Sequence, residues 1–218
     1  IWPMLVSAIF SAALGVYAWR HRTVPGAAAF AVQELFIALW SLLTAMEMGA
    51  TVPVKILHHK LEAAAAITAI TATFYFALEY ANPGRWATRR TTLLLSFVVL
   101  GMFILIATND LHHLMWTRLW FDRVVRVERG PLNAPLLGLA ILLPALSILL
   151  FLRLALRSRG IYRQQALLLS IGTALPVLTF FLELVSALQV FVLCVYVSGK
   201  NLSVLGGLGE GLAETLAV

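Results

Sequence analysis

The chain is dominated by apolar runs separated by short segments that hold most of its arginines. Each run is about 20 residues long, the length needed to cross a bilayer as an α-helix. The composition agrees. Of 218 residues, 61% are hydrophobic and 12% charged, whereas a soluble domain is about half apolar and a quarter charged. The fold class expected is therefore an all-α integral membrane protein, a seven-transmembrane helix bundle. Its segments are read at residues 3–19, 26–48, 61–81, 92–108, 135–156, 166–186 and 187–208. The seventh is the weakest, because its apolar part "VFVLCVYV" is short and is succeeded by the interruptions "SGKN" and "GGLGEG". Residues 209–218 are expected to be a tail leading toward an output domain outside this sequence.

The formal net charge of +6 does not point to nucleic acid, because the basic residues lie between the apolar runs and form no basic helix interleaved with aromatics. Their distribution gives an orientation instead. Arg20, Arg22, Arg85, Arg89, Arg90, Arg153, Arg157, Arg159 and Arg163 fall on one side if the segments alternate. Lys55, Lys60, Arg118, Arg123, Arg126 and Arg129 fall on the other. Cytoplasmic loops carry the excess of Lys and Arg, so the N-terminus is expected outside and the C-terminus in the cytoplasm. The single cysteine, Cys194, cannot support an internal disulfide framework.

The longest polar connection runs from Asn109 to Asn133 on the outer side. "RGPLN" near its end reads as a turn before the fifth segment. Trp116 and Trp120 fit a headgroup belt or a small extracellular cap over the bundle. Asn109 and Asp110 are placed to cap the end of segment four.

Ionisable groups inside spans are costly and tend to face the bundle interior. Gln33 and Glu34 lie within segment two, Glu47 at its outer end, Glu62 at the start of segment three and Glu183 near the outer end of segment six. By this topology Glu47, Glu62, Asn109, His112, Trp116 and Glu183 gather in the outer third as a candidate ligand pocket. A few placed polar groups in apolar surroundings are what such a pocket needs. An interfacial, purely structural role is the competing reading. Glu34 is suited to an interhelical hydrogen bond. Pro144 and Pro176 each remove a backbone donor inside a segment and can kink it.

No metal site or cofactor is assigned. The pairs His58–His59 and His112–His113 are adjacent, and neighbours on a helix point about 100° apart, so neither pair is arranged to chelate one ion. No histidines lie deep in facing helices as a buried haem would require. Lys200 stands in the segment where a retinal Schiff base would form, but glycines break that segment. There is no Ser-His-Asp, HExxH or P-loop signature, so the fragment is not expected to be an enzyme.

Three stretches carry a resemblance: "HHKLEAAAAITAITATFYFALEYANPGRW", "ATNDLHHLMW" and "IYRQQALLLSIGTALPVL". Together they resemble the N-terminal seven-transmembrane sensor region of bacterial histidine kinases. An aromatic-rich third helix ends in an element like Leu78-Glu79-Tyr80-Ala81-Asn82. The fourth ends in Thr-Asn, then His, then Trp, matched by Thr108, Asn109, His112 and Trp116. The sixth opens with an Arg-Gln-Ala element at Arg163 to Ala166 and contains Leu175-Pro176. The resemblance implies a receptor or sensor in a bacterial inner membrane, taking a small ligand or sensing membrane state. It implies a relay to cytoplasmic kinase or other output domains, and a homodimer. The alternative is a transporter or channel-like protein, which calls for broken helices or inverted repeats.

Overall fold

The computed structural model describes residues 1–82, 85–121 and 125–178. The chain divides into two units, Ile1–Ala174 and Leu175–Val218. In the second, residues 175–178 are described and are helical. The elements in order are α1 (Trp2–Arg20), α2 (Ala27–Glu47), α3 (Val52–Ala81), α4 (Arg89–Ala107), the single turn α5 (Asn109–His112), β1 (Trp116–Phe121), β2 (Val125–Arg129) and α6 (Asn133–Arg157). A further helix, α7, covers residues 161–178. Helices α1, α2, α3, α4 and α6 are each long and apolar enough to cross a membrane. The sixth expected segment is helical from residue 161, five residues before its predicted start. Its last residues, Glu183 and the expected seventh segment lie outside the described residues.

Helices in lipid gain little by burying one apolar surface against another, so close contact depends on small residues. The α1–α2 pair follows that rule. Ala8, Ser11, Gly15 and Ala18 form the buried stripe of α1, and Ala31, Glu34, Ala38, Ser41 and Ala45 are buried on α2. A Cβ on Gly15 would lie 2.9 Å from Leu35 Cγ and 3.3 Å from the Ala31 carbonyl oxygen. The hydroxyls of Ser7 and Ser41 lie 3.4 Å apart across the pair. The outward faces are apolar and uncovered, with Ile9, Phe10, Leu94 and Phe97 all strongly exposed. Apolar surface this extensive calls for lipid or a partner rather than water.

Helix α3 is the centre of the bundle, packing on α2, α4 and α6. At the arginine-rich end, Phe76 is buried among Phe30, Tyr80 and Phe151, with ring centroids 5.4–5.7 Å away. Gly26 opens α2 in the left-handed region (φ 84°). A side chain there would be strained, and its Cβ would meet the Phe76 ring at 2.9 Å. Tyr80 Oη donates to Gln165 Oε1 of α7 at 3.1 Å. At the same end the Arg153 guanidinium stands 5.6 Å from the centroid of the Trp86 ring.

The opposite end is closed by the β1–β2 hairpin. The strands pair antiparallel, from Trp116 opposite Arg129 to Phe121 opposite Val125, with an irregularity between Trp116 and Arg118. The base is fastened by Gly130 N–H to the Met115 carbonyl and Leu132 N–H to the Leu114 carbonyl, each at 2.9 Å. Gly130 allows this approach, since a Cβ would overlap the Leu114 carbonyl. The "RGPLN" stretch forms the turn into α6. Under the hairpin, Ala64, Ile106, Met115 and Trp116 make a buried cluster packed by Leu119, Val127 and Leu136. The cap reading of the 109–133 connection thus has a physical form, a two-stranded sheet seated on α3, α4 and α6.

Candidate functional site

Helix α2 ends at Glu47, and α3 begins after a four-residue connection, at Val52. Pro53 sits in the first turn of α3, where a missing N–H costs nothing. The helix therefore starts nine residues before the expected Leu61, and its polar opening "VPVKILHHK" is helical. His59 and Glu62 are three residues apart on it and share a face. That face meets the end of α2, and one ligand atom from each of Glu47, His59 and Glu62 comes within 4.8 Å of the others. All three are half-buried. Thr44, one turn before Glu47, is also beside the Glu62 carboxyl. Glu62 Oε1 is shielded from solvent and has no hydrogen-bond partner among the described residues.

The neighbouring cations do not neutralise this cluster. Lys60, on the next face of α3, is 2.7 Å from Asp110 Oδ2. Neither Glu47 nor Glu62 has an ion pair among the described residues. His58 turns the other way into the bundle and is buried, as the angular argument against an adjacent-pair chelate requires. The ring of His59 packs against Trp116, centroids 5.3 Å apart.

Asn109 is 3% exposed and all its side-chain bonds go to the hairpin base. Its Oδ1 accepts from Met115 N–H at 2.9 Å and Trp116 N–H at 3.1 Å, and its Nδ2 donates to the Trp116 carbonyl at 3.0 Å. His112 is likewise occupied. Its Nδ1 accepts from Leu114 N–H at 3.0 Å, and its Nε2 is 3.1 Å from Thr108 Oγ1. Thr108 in turn donates to the Ile104 carbonyl at 2.6 Å. An imidazole accepting at Nδ1 carries its proton on Nε2, so the network assigns one neutral tautomer.

The six candidate residues thus separate. Glu47 and Glu62 meet, joined by His59, which sequence reasoning left out. Asn109 and His112 build the turn beside them instead of pointing polar atoms at the carboxylates. Neither Asn109 nor Asp110 caps α4 as expected: Asn109 ties down the hairpin and Asp110 pairs with Lys60. Trp116 is 5% exposed, so it belongs to the core under the hairpin rather than to a headgroup belt. Glu183 lies outside the described residues. In the span of α2, Glu34 is 8% exposed, with its carboxyl beside Ser11 of α1. Gln33 Nε2 donates to Glu34 Oε1 at 3.4 Å. The missed signal was the His-x-x-Glu spacing at positions 59 and 62, which puts a nitrogen and an oxygen donor on one helical face.

The fold and this site define a class: a helical membrane protein with five helices long and apolar enough to cross a bilayer, a hairpin over one end and a carboxylate–imidazole cluster beside it. Residues 3–199 match the family described as the N-terminal 7TM region of histidine kinase, and the chain belongs to that family. No curated protein matches it, and no solved structure does.

Proposed function

We propose that this region is the signal-receiving part of a bacterial two-component signalling protein, a receptor set in the inner membrane with seven spans. Its N-terminus lies outside, and its C-terminus leads to a cytoplasmic kinase or other output domain. A small ligand binds at the hairpin end, and binding favours one packing of the helices over another. This works only if the two packings differ in affinity for the ligand. The receptor is a homodimer, as kinase outputs operate in pairs. The supporting observation is the gathering of Glu47, His59 and Glu62 beside a structured hairpin, at the end opposite the nine arginines. Among the described residues, the gathering of titratable groups at one end favours a receptor over a transporter or channel.

The test is a thermal-shift screen of the protein in nanodiscs with small polar and charged molecules. A ligand of this site raises the melting temperature of the wild type and does so much less for Glu62→Ala. A screen in which nothing separates the two proteins overturns the assignment of the site.

A further inference from the structure

We propose that Glu47, His59 and Glu62 form a binding site for a divalent transition-metal ion of the zinc type. The inference rests on the receptor reading only for its location, and it names the chemistry of that same site.

Three features carry it. First, the donors come from two helices joined by a tight connection, and two of them are held in register by one helical face. Their ligand atoms already lie within 4.8 Å of one another. Around a zinc ion with bonds of about 2.0–2.2 Å, tetrahedral donors stand about 3.4 Å apart. Second, two carboxylates face each other here without an ion pair, and Glu62 Oε1 is shielded with no hydrogen-bond partner among the described residues. When both are ionised, two carboxylates this close call for a cation between them, and Lys60 of α3 is bound to Asp110. Third, the donor set is mixed. Two carboxylate oxygens and one imidazole nitrogen suit zinc, iron, nickel or copper, whereas calcium and magnesium favour oxygen alone.

With both carboxyls ionised, as metal binding requires by releasing a proton, two carboxylates and a neutral imidazole carry a charge of −2, which matches a divalent ion. Three protein donors also leave a coordination position for water or a small anion, the arrangement of zinc sites that exchange ligands. The Trp116 ring holds the His59 imidazole on one side, so the hairpin fixes a ligand's orientation as outer partners do in metal sites.

The experiment uses the whole chain in nanodiscs, in a Cys194→Ser background that removes the one thiol, stripped with a chelator and titrated with Zn2+ by calorimetry. The expected result is one zinc per chain. Glu62→Gln and His59→Ala should each weaken binding at least tenfold, while His21→Ala at the other end leaves it unchanged. Glu62→Gln keeps the side chain's size, so it still reports if His59→Ala fails to fold. X-ray absorption of the loaded protein should show a nitrogen–oxygen shell with one imidazole. Absence of stoichiometric binding overturns the proposal, as does a shell with two or more imidazoles, which puts the ion on the histidine pairs. Magnesium and calcium in place of zinc should compete poorly; equal competition also overturns it. Because zinc binding is read directly, its failure leaves the small-ligand receptor reading to its own screen.

Discussion

Replacing Asn109 by alanine removes three hydrogen bonds at once from a position 3% exposed. Two backbone N–H groups and one carbonyl, from Met115 and Trp116, lose their partner. Each buried polar group left unsatisfied costs about 1–3 kcal/mol. Three sum to between about 3 and 9 kcal/mol if nothing replaces the side chain. The vacated space beside a surface turn admits water, which can repair one or two of these bonds at small entropic cost. The net loss is then about 2–4 kcal/mol. In a chain of this size each kcal/mol moves the melting temperature by about 2–4 °C, so Asn109→Ala should melt roughly 4–16 °C below the wild type. The damage should also be local. By hydrogen exchange in nanodiscs, amides of residues 113–120 should lose protection while those of α3 around Ala65 and Thr68 keep theirs. A fall of less than about 2 °C with unchanged exchange at 113–120 would refute the view that Asn109 holds the hairpin to the bundle.

Gly15→Val should weaken the α1–α2 contact by about 1–3 kcal/mol, because the new Cβ meets Leu35 and the Ala31 carbonyl; thermal unfolding of the variant in nanodiscs measures it, and an unchanged melting temperature would show that the two helices can move apart freely. For orientation, in a Cys194→Ser background, Thr117→Cys in the hairpin should react with a membrane-impermeant maleimide in intact spheroplasts. Arg159→Cys should react only after permeabilisation, and the reverse pattern would invert the topology.

Hydropathy was enough to read α1, α2, α4 and α6 to within three residues at either end, because lipid crossing imposes a length that the sequence displays directly. It failed at the start of α3. The polar residues from Lys55 to Lys60 look like a loop by composition, yet the helix continues through them because the hairpin and α2 supply their surroundings. The hairpin's strands were not read from the sequence: "VRVER" alternates apolar and polar at the period of a strand, but a scale tuned to spans averages that signal away. In the site, residue type suggested Glu47 and Glu62, and the structure kept them together. Asn109 and His112 carry the same polarity with a different use, because the deciding factor is which backbone groups lie within about 3 Å, and that depends on a turn the sequence does not display. His59 was discounted as half of a pair, when its partners were three residues ahead on its own helix and on the end of the preceding one.

Helix α3 runs unbroken for 30 residues, about 45 Å at 1.5 Å per residue, which exceeds the hydrocarbon thickness of about 30 Å. Its first turns hold His59 and Glu62, and its last hold Phe76 and Tyr80. With no proline beyond its first turn to act as a joint, it behaves as a rigid lever. Glu62 and Phe76 lie about 21 Å apart along it at 1.5 Å per residue, so a tilt of about four degrees moves one relative to the other by about 1.5 Å, a shift that a close-packed aromatic cluster must answer by repacking. Anything that pulls Glu62 toward Glu47 therefore has a direct mechanical consequence for how Phe76 sits against Phe151.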